Sequence, residues 1–255
     1  MVEFVRGNLL EADVDALVNT VNTKGVMGKG VALQFRRAFP ENYEAYRAAC
    51  NAGEIQLGRM FVVPLTSHLG GPRLIINFPT KKHWKSRSRI ADIEAGLADL
   101  RRVIDEHGIR TLALPPLGCG LGGLEWSDVR PRIEAALADS AAHALVFEPA
   151  GAPRADEMVD RRERPTMTPG RAAIVWLLSR YLAPGESATQ LEVQKLSYFL
   201  QEAGETLQLR FAKGNYGPYA DSVRHAVLRM EGHFVQGFGD GTGSGAVCLL
   251  PGVEE

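Results

Sequence analysis

The sequence predicts an α/β domain whose mostly parallel sheet is covered by helices on both faces, followed by a smaller, mainly helical α+β domain. Three observations lead to this prediction. Short β-branched runs alternate with helical patterns over the first 150 residues, which is typical of α/β proteins. The run Leu74-Ile75-Ile76 is apolar at consecutive positions, as expected of a strand buried on both faces of a parallel sheet. Residues 151–170 are rich in proline, glycine and charge, which indicates a linker.

The elements follow in order along the chain. In domain one, residues 1–150, the predicted strands are residues 2–6, 16–21, 60–63, 74–78, 111–114 and 144–147. The helical patterns between them are residues 31–39, 42–51, 90–107 and 127–140. Domain two, residues 171–255, has helical patterns at 171–182, 191–203 and 220–231 and strand-like pieces at 207–211 and 246–250. Ligands of a parallel sheet bind at the carboxyl ends of its strands, so we expect the site in the loops there.

Composition excludes several classes of protein. The 29 Lys and Arg against 30 Asp and Glu leave a net charge of -1, so an anionic partner must meet a local basic patch. The cysteines Cys50, Cys119 and Cys248 form no CxxC pair, and the six histidines show no ligand spacing, so we expect neither a metal nor a cofactor. The N-terminus lacks the apolar core of a signal peptide, and no apolar run approaches the ~18 residues of a membrane span. We expect a cytoplasmic protein with no membrane partner.

A glycine-rich segment, NTVNTKGVMGKGVA at residues 19–32, follows the second predicted strand. Glycines let backbone N–H groups converge on a phosphate, and the helix that follows adds the positive end of its dipole. Lys29 is followed by a glycine instead of the Ser or Thr of a Walker A loop, which argues against ATP hydrolysis. The pattern favours phosphate binding over its alternative, a plain strand-to-helix turn.

A second glycine-rich segment, PPLGCGLGGLEW at residues 115–126, follows a later strand. It contains GxGxxG, but the two prolines and the late position argue against a dinucleotide dehydrogenase. Two glycine loops at strand ends suit a diphosphate, because each can donate backbone hydrogen bonds to one phosphate. Cys119 is either a thiol nucleophile or, as we favour, a small packing residue.

A basic segment at residues 81–89 contains five Lys and Arg, no acid and one tryptophan. Such a stretch can hold a nucleic-acid backbone while an aromatic ring stacks on a base. We predict DNA contacts for Lys82, His83, Trp84 and Lys85; the alternative is a solvated basic loop. Lys81 differs from them because it leaves a strand end, where the ligand is expected.

The motifs NTVN, GVMGKG, INFPTKKHW and PPLGCGLGGLEW resemble macrodomains in type and order, and more narrowly the DarG family of antitoxins, over about residues 1–149. The resemblance implies a three-layer α/β/α fold that binds ADP-ribose. It also implies an enzyme that removes ADP-ribose from thymidine in single-stranded DNA, where the toxin DarT attaches it. The motifs LEVQKLSYF and YGPY are similar to the toxin-binding half of that family and to Panacea-type antitoxin domains. We expect that half to be longer than the residues after 171 provide.

The resemblance assigns roles to individual residues. Lys81 matches the lysine on which catalysis depends, and Asn22 matches the residue that faces the distal ribose. Asn8 stands where macrodomains carry an acid that binds adenine. Relatives pair the lysine with an aspartate, and the matching position here is Gly122. The full set assigned to ADP-ribose is Asn8, Leu9, Asn19, Thr20, Asn22, Met27, Gly28, Lys29, Gly30, Val31, Pro116, Leu117, Gly118, Cys119, Gly120, Leu121 and Gly122.

The residues leave two questions open. Lys81 acts as nucleophile or electrostatic catalyst, with its pKa lowered by Lys82 and Lys85, or it only clamps a phosphate. If Lys81 only clamps a phosphate, the protein is a non-catalytic ADP-ribose reader that acts by sequestration. Finally, an aromatic set in domain two either contacts the DarT toxin or packs in the core: Tyr198, Phe199, Tyr216 and Tyr219.

Overall fold

The computed structural model describes residues 1–66, 71–149, 159–183, 185–238 and 246–253. These residues divide into two compact units. The first contains the described residues up to 149 together with Val159–Arg162, and the second begins at Glu163. Among the described helices, none has both the length and the apolar character needed to cross a bilayer.

A six-stranded sheet forms the centre of the first unit. Its strands are β1 (Val2–Val5), β2 (Ala16–Asn22), β3 (Phe61–Pro64), β4 (Leu74–Lys81), β5 (Thr111–Leu114) and β6 (His143–Phe147). They lie in the order β1-β6-β5-β2-β4-β3, and every described pairing is parallel except that of β3 with β4. The predicted α/β class with a mostly parallel sheet is therefore confirmed.

Helices cover both faces of this sheet. They are α1 (Gly30–Ala38), α2 (Pro40–Asn51), α3 (Ile90–Glu106) and α4 (Trp126–Leu137). Successive residues of β2 face opposite layers: Leu17 clusters with Phe35 of α1, whereas Val18 clusters with Leu97 of α3 and Ile133 of α4. Because both sides of β2 are covered, its apolar residues are consecutive instead of alternating.

The second unit is a small α+β fold, as the sequence predicts. Its helices are α5 (Pro169–Tyr181), α6 (Gln190–Glu202) and α7 (Asp221–Met230). Its short strands are β7 (Ala188–Thr189), β8 (Ala212–Gly214), β9 (Gly217–Tyr219), β10 (Val235–Gln236) and β11 (Ala246–Leu249). Strands β10, β11 and β7 form an antiparallel sheet, and β8 with β9 forms a hairpin. Buried residues from α5, α6 and α7 make one apolar core with this sheet.

The predicted strand at residues 207–211 is wrong. Gln208 takes a left-handed φ of 52°, which interrupts an extended chain. The Leu209 backbone hydrogen-bonds to the Gln201 side chain instead of to a neighbouring strand. Its N–H donates to Gln201 Oε1 at 2.7 Å, and its carbonyl accepts from Gln201 Nε2 at 3.2 Å. The hairpin forms a few residues later, in β8 and β9.

Part of the predicted linker lies outside the described residues. The remaining residues make specific contacts with the two units. Val159–Arg162 belongs to the first unit, where the Arg161 N–H donates to the Arg37 carbonyl at 2.9 Å. Helix α5 begins at Pro169, capped by Thr168, whose side chain accepts from the Arg171 N–H.

Candidate active site

Three strand ends meet at one edge of the first unit's sheet. Strands β4, β2 and β5 are parallel neighbours, so their carboxyl ends lie side by side. The first glycine loop, residues 23–29, follows β2, and the second glycine loop, residues 118–123, follows β5. Lys81 is the last residue of β4 and pairs with Asn22, the last residue of β2, where the register shifts at a bulge. The fold thereby brings the predicted lysine and both predicted phosphate loops together.

Asn22 holds the first glycine loop in shape. Its side-chain nitrogen donates to the Val26 carbonyl at 2.6 Å, and its side-chain oxygen accepts from the Lys24 N–H at 2.8 Å. Its own carbonyl accepts from the hydroxyl of Tyr46 on α2 at 2.5 Å. Asn22 is 4% exposed, so these bonds are shielded from water. The residue predicted to face the ribose is therefore also the residue that folds the loop.

A buried amide network lies behind the same loop. Asn19 is completely buried, and its nitrogen donates to Asn77 Oδ1 at 3.0 Å and to the sulfur of Met27 at 3.8 Å. Asn77 in turn donates to Asn42 Oδ1 of α2 at 2.7 Å. Met27 belongs to the loop, so this network connects the loop to the sheet and to α2.

The predicted ADP-ribose residues separate into an exposed set and a framework. Leu9, Asn19, Asn22, Met27, Leu117, Gly118 and Gly122 are buried, whereas Gly28, Lys29, Gly120 and Leu121 are exposed; Thr20, Gly30, Val31, Pro116 and Cys119 are half-buried. Half-buried Asn8 caps a short 3-10 helix, Leu9–Glu11, through the Leu10 N–H, while its amide nitrogen donates to Glu11 at 2.9 Å. The exposed set lies on the two glycine loops, whose backbone N–H groups a phosphate would contact.

Free N–H groups on both glycine loops can receive an anion. Helix α1 begins after Lys29 with no side-chain cap and no acid in its first turn, so its first N–H groups lack an intrahelical acceptor. In the second loop, the N–H groups of Gly120, Leu121 and Gly122 donate to no described residue. The loops are close, because a Cβ placed on Gly30 would lie 3.9 Å from Leu121 Cδ1. Two sets of free donors thus lie near each other, which suits a diphosphate.

The second glycine loop is held by three successive carbonyls. Lys81 Nζ donates to the Leu121 carbonyl at 2.9 Å, and the Ser88 N–H donates to the Gly122 carbonyl at 2.9 Å. The Arg87 guanidinium reaches the Gly123 carbonyl at 3.5 Å, the limit of a hydrogen bond. All three donors come from residues 81–88, so the basic segment and the second loop are joined. These three carbonyls therefore accept hydrogen bonds from within the protein.

Lys81 is half-buried, and burial lowers the pKa of its ammonium group. The predicted direction of this shift is confirmed, but its cause is desolvation and not repulsion by Lys82 and Lys85. The hydrogen-bond partner of Lys81 is a neutral carbonyl, which gives less support to a positive charge than a carboxylate would. A larger fraction of the amine is therefore neutral than in an ordinary exposed lysine.

Gly122 cannot carry the aspartate that the family resemblance leads one to seek there. A Cβ at this position would lie 2.3 Å from the Gly118 carbonyl oxygen and 2.4 Å from Ser88 Oγ. No side chain fits unless the loop moves. In this loop shape the Leu121 carbonyl occupies the lysine's hydrogen-bonding position in place of an acid.

Cys119 does not have the surroundings of a nucleophile. Burial, with Glu125 and Asp128 adding a smaller effect, raises the pKa of its thiol to about 11, so it stays protonated near neutral pH. Its sulfur points to the Leu117 carbonyl at 3.6 Å. The packing interpretation of Cys119 is the one that this environment favours.

The basic segment forms an exposed cationic strip, which consists of Lys82, Lys85, Arg87 and Arg89. None of the four forms an ion pair with a described residue. Trp84 is 44% exposed and stacks on the His83 ring with 3.7 Å between centroids. Unpaired cations around a supported indole ring are the features that bind a single nucleic-acid strand without base selectivity.

Sequence reasoning missed Tyr46, Asn42, Asn77 and Ser88. Each contributes through a partner far along the chain; Tyr46, for example, lies 24 positions after its partner Asn22. No local motif marks them. The single available signal is polarity inside apolar patterns, as for Asn77 within the strand sequence LIINF.

Comparisons with known proteins agree with this geometry. The model of the Macro domain family matches residues 18–133. A DNA ADP-ribosyl glycohydrolase from Thermus aquaticus is 54% identical over 252 residues, which cover 98% of this chain and 70% of that relative. The macrodomain structure of Mycobacterium tuberculosis DarG is 53% identical, with a TM-score of 0.57 over 59% of this chain and 99% of that one.

A solved structure with bound nucleotide is also similar. Thermosipho africanus DarTG in complex with ADP-ribose is 34% identical, with a TM-score of 0.55 over 60% of this chain and 43% of that chain. Identity above one half along nearly the whole chain covers both units, not the macrodomain alone. The chain therefore belongs to the DNA ADP-ribosyl glycohydrolase family, with a macrodomain as its first unit.

Proposed function

We propose that this protein hydrolyses the bond between ADP-ribose and a thymidine base in single-stranded DNA, with Lys81 as its catalytic residue. One observation carries the proposal: the Lys81 amine lies at the strand end between two loops whose free N–H groups suit a diphosphate. The cationic strip with Trp84 begins directly after it, so a DNA strand and the nucleotide reach the same lysine.

The chemistry is the cleavage of an N-glycosidic bond. The bond between the anomeric carbon of the distal ribose and the base nitrogen breaks, a water oxygen bonds to that carbon, and a proton from water ends on the base. The reaction passes through an oxocarbenium-like state, usually served by two carboxylates. The described contacts of Lys81 include no carboxylate, so the amine must act differently. When neutral, it attacks the anomeric carbon or takes a proton from water; when charged, it supports the departing base.

The direct test is turnover of an ADP-ribosylated oligonucleotide by wild type beside Lys81→Ala. We expect wild type to release ADP-ribose and the variant to lose that release while still binding ADP-ribose. Tight binding by wild type without release would replace this proposal with the non-catalytic reader. Unchanged hydrolysis by Lys81→Ala would reduce Lys81 to a phosphate clamp.

A surface of the second unit favours a further function, neutralisation of the DarT toxin by direct contact. Tyr216 is 77% exposed, Phe199 64% and Tyr219 40%. Aromatic residues this exposed are typical of protein interfaces. Tyr198 differs, because its ring packs against Phe211 with 5.1 Å between centroids, so we assign it to packing. We expect Tyr216→Ala to weaken co-purification with DarT.

We also propose that the protein works in the cytoplasm. Cys50, Cys119 and Cys248 are all free thiols, which is the state that a reducing compartment maintains. Its proposed substrate, DNA, is in the same compartment. Cell fractionation with an antibody to the native protein tests this location.

A further inference from the structure

The hydroxyl of Ser88 is buried beside the candidate site, and it bonds to no described residue. Ser88 is 6% exposed and lies between Arg87 and Arg89 of the cationic strip, just before α3. Buried hydroxyl groups are almost always hydrogen-bonded, because leaving one without a partner costs the free energy of its desolvation. An exception next to a ligand loop indicates a partner that comes within reach when the ligand binds.

The side chain of Ser88 lies inside the second glycine loop. A Cβ on Gly118 would be 3.1 Å from Ser88 Cβ and 3.3 Å from its Oγ, and a Cβ on Gly122 would be 2.4 Å from that Oγ. The same point on Gly122 is 2.3 Å from the Gly118 carbonyl oxygen. The Ser88 hydroxyl and the Gly118 carbonyl therefore approach one small space between the two ends of the loop.

The Gly118 carbonyl is an acceptor with capacity to spare. It already accepts from the Leu124 N–H at 3.1 Å, and a carbonyl oxygen has a second lone pair. The Ser88 backbone is anchored meanwhile, since its N–H donates to the Gly122 carbonyl at 2.9 Å. Both atoms lie within 2.4 Å of the same point on Gly122, so a closing movement of the loop would bring the hydroxyl and the carbonyl into a hydrogen bond.

We propose that Ser88 is a positioning residue for ADP-ribose: its hydroxyl donates to the Gly118 carbonyl when a bound diphosphate draws the second glycine loop closed. This inference rests on the proposed function, because it requires ADP-ribose on that loop. A bond made only in the closed loop stabilises the complex and not the free protein, so it contributes to ligand affinity. This hydrogen bond is on the loop and not at the anomeric centre, so we expect it to have no effect on the rate of the chemical step.

The test is Ser88→Ala, measured by thermal unfolding, by calorimetric titration with ADP-ribose, and by turnover of ADP-ribosylated DNA. Ala keeps the Cβ that supports the loop and removes only the hydroxyl. We expect the unfolding midpoint of the free protein not to fall, because the lost group has no partner there. We expect the Kd for ADP-ribose and the KM to rise about fivefold with kcat unchanged, which corresponds to one hydrogen bond of typical net strength.

Ser86→Ala is the matched control, since Ser86 is an exposed serine two residues earlier in the same segment. It should leave the unfolding midpoint and the Kd unchanged. A lower midpoint for Ser88→Ala would show that the hydroxyl is already bonded in the free protein and would overturn the proposal, as would an unchanged Kd. Wild type that binds no ADP-ribose at all would instead overturn the proposed function.

Amide hydrogen exchange gives a second measurement that does not depend on catalysis. With ADP-ribose bound, the N–H groups of residues 118–124 should exchange more slowly in wild type than in Ser88→Ala. Without ligand the two proteins should exchange alike. Equal protection in the two complexes would contradict a loop that the hydroxyl holds closed.

Discussion

Tyr46→Phe is the sharpest test of how the first glycine loop is held. Tyr46 is completely buried on α2, and its hydroxyl donates to the Asn22 carbonyl at 2.5 Å. Burial raises the pKa of Tyr46 far above its ordinary 10.0, so the hydroxyl keeps its proton at any working pH. Phe fills the same volume and removes the hydroxyl, which also bonds to the Gly25 N–H and the Cys50 thiol. The change therefore removes all the hydrogen bonds of one hydroxyl at the root of the loop.

The expected loss of stability follows from burial. Depriving a buried acceptor of its donor costs about 1–3 kcal/mol of unfolding free energy. For a protein of this size each kcal/mol lowers the unfolding midpoint by about 2–4 °C, so we expect a fall of about 4–8 °C for a loss near the middle of that range. Asn22 also loses its fixed position next to Lys81, and small misplacements of site residues have large effects on rate. We expect kcat/KM to fall about tenfold.

Tyr43→Phe on the same helix is the control. Tyr43 is half-buried, and its ring lies beneath Arg36 at 4.4 Å, a contact that a phenylalanine ring retains. Thermal unfolding and release of ADP-ribose from modified DNA, assayed well below both midpoints, should separate the two variants. If Tyr46→Phe matches Tyr43→Phe in both measurements, the Tyr46 hydroxyl does not hold the loop.

Three further predictions concern the lysine, the second loop and the DNA strip. Because burial lowers the pKa of Lys81, the pH profile of kcat/KM should contain a limb whose midpoint lies below 10.5, the ordinary pKa of lysine. Activity should rise with pH along this limb if the neutral amine is the reacting form. The limb should be missing from any residual activity of Lys81→Ala; a limb that remains belongs to another group. Gly122→Ala should weaken ADP-ribose binding at least tenfold, because its Cβ would lie 2.3 Å from the Gly118 oxygen. The control Gly120→Ala has open space around its Cβ and should bind ADP-ribose within about twofold of wild type. Equal Kd values for the two variants would contradict the packed loop. Trp84→Ala should raise the KM for modified DNA about tenfold, the cost of one lost base stack, and leave the Kd for free ADP-ribose unchanged. If the KM does not change, the indole does not stack on a base.

Much of the site was accessible from local pattern. The two glycine loops and Lys81 follow strands that are recognisable from their apolar runs, and the strands of a parallel sheet present their ends together. The second unit was less predictable. The extended interpretation of residues 207–211 failed because a glutamine side chain from α6 captured the Leu209 backbone, a contact with no signature in the segment itself.

The amino-acid sequence alone determined the class of fold, the positions of the two glycine loops and the place of Lys81 at a strand end, because these depend on periodicity and on glycine and charge within short windows. Only the tertiary structure decided how those parts are held. The Tyr46 hydroxyl at the Asn22 carbonyl, the Ser88 side chain within the second loop, and the Leu121 carbonyl at Lys81 all join residues distant in the chain. Such contacts depend on where the sheet and helices bring side chains together. A pattern along the chain does not indicate which distant residues come into contact.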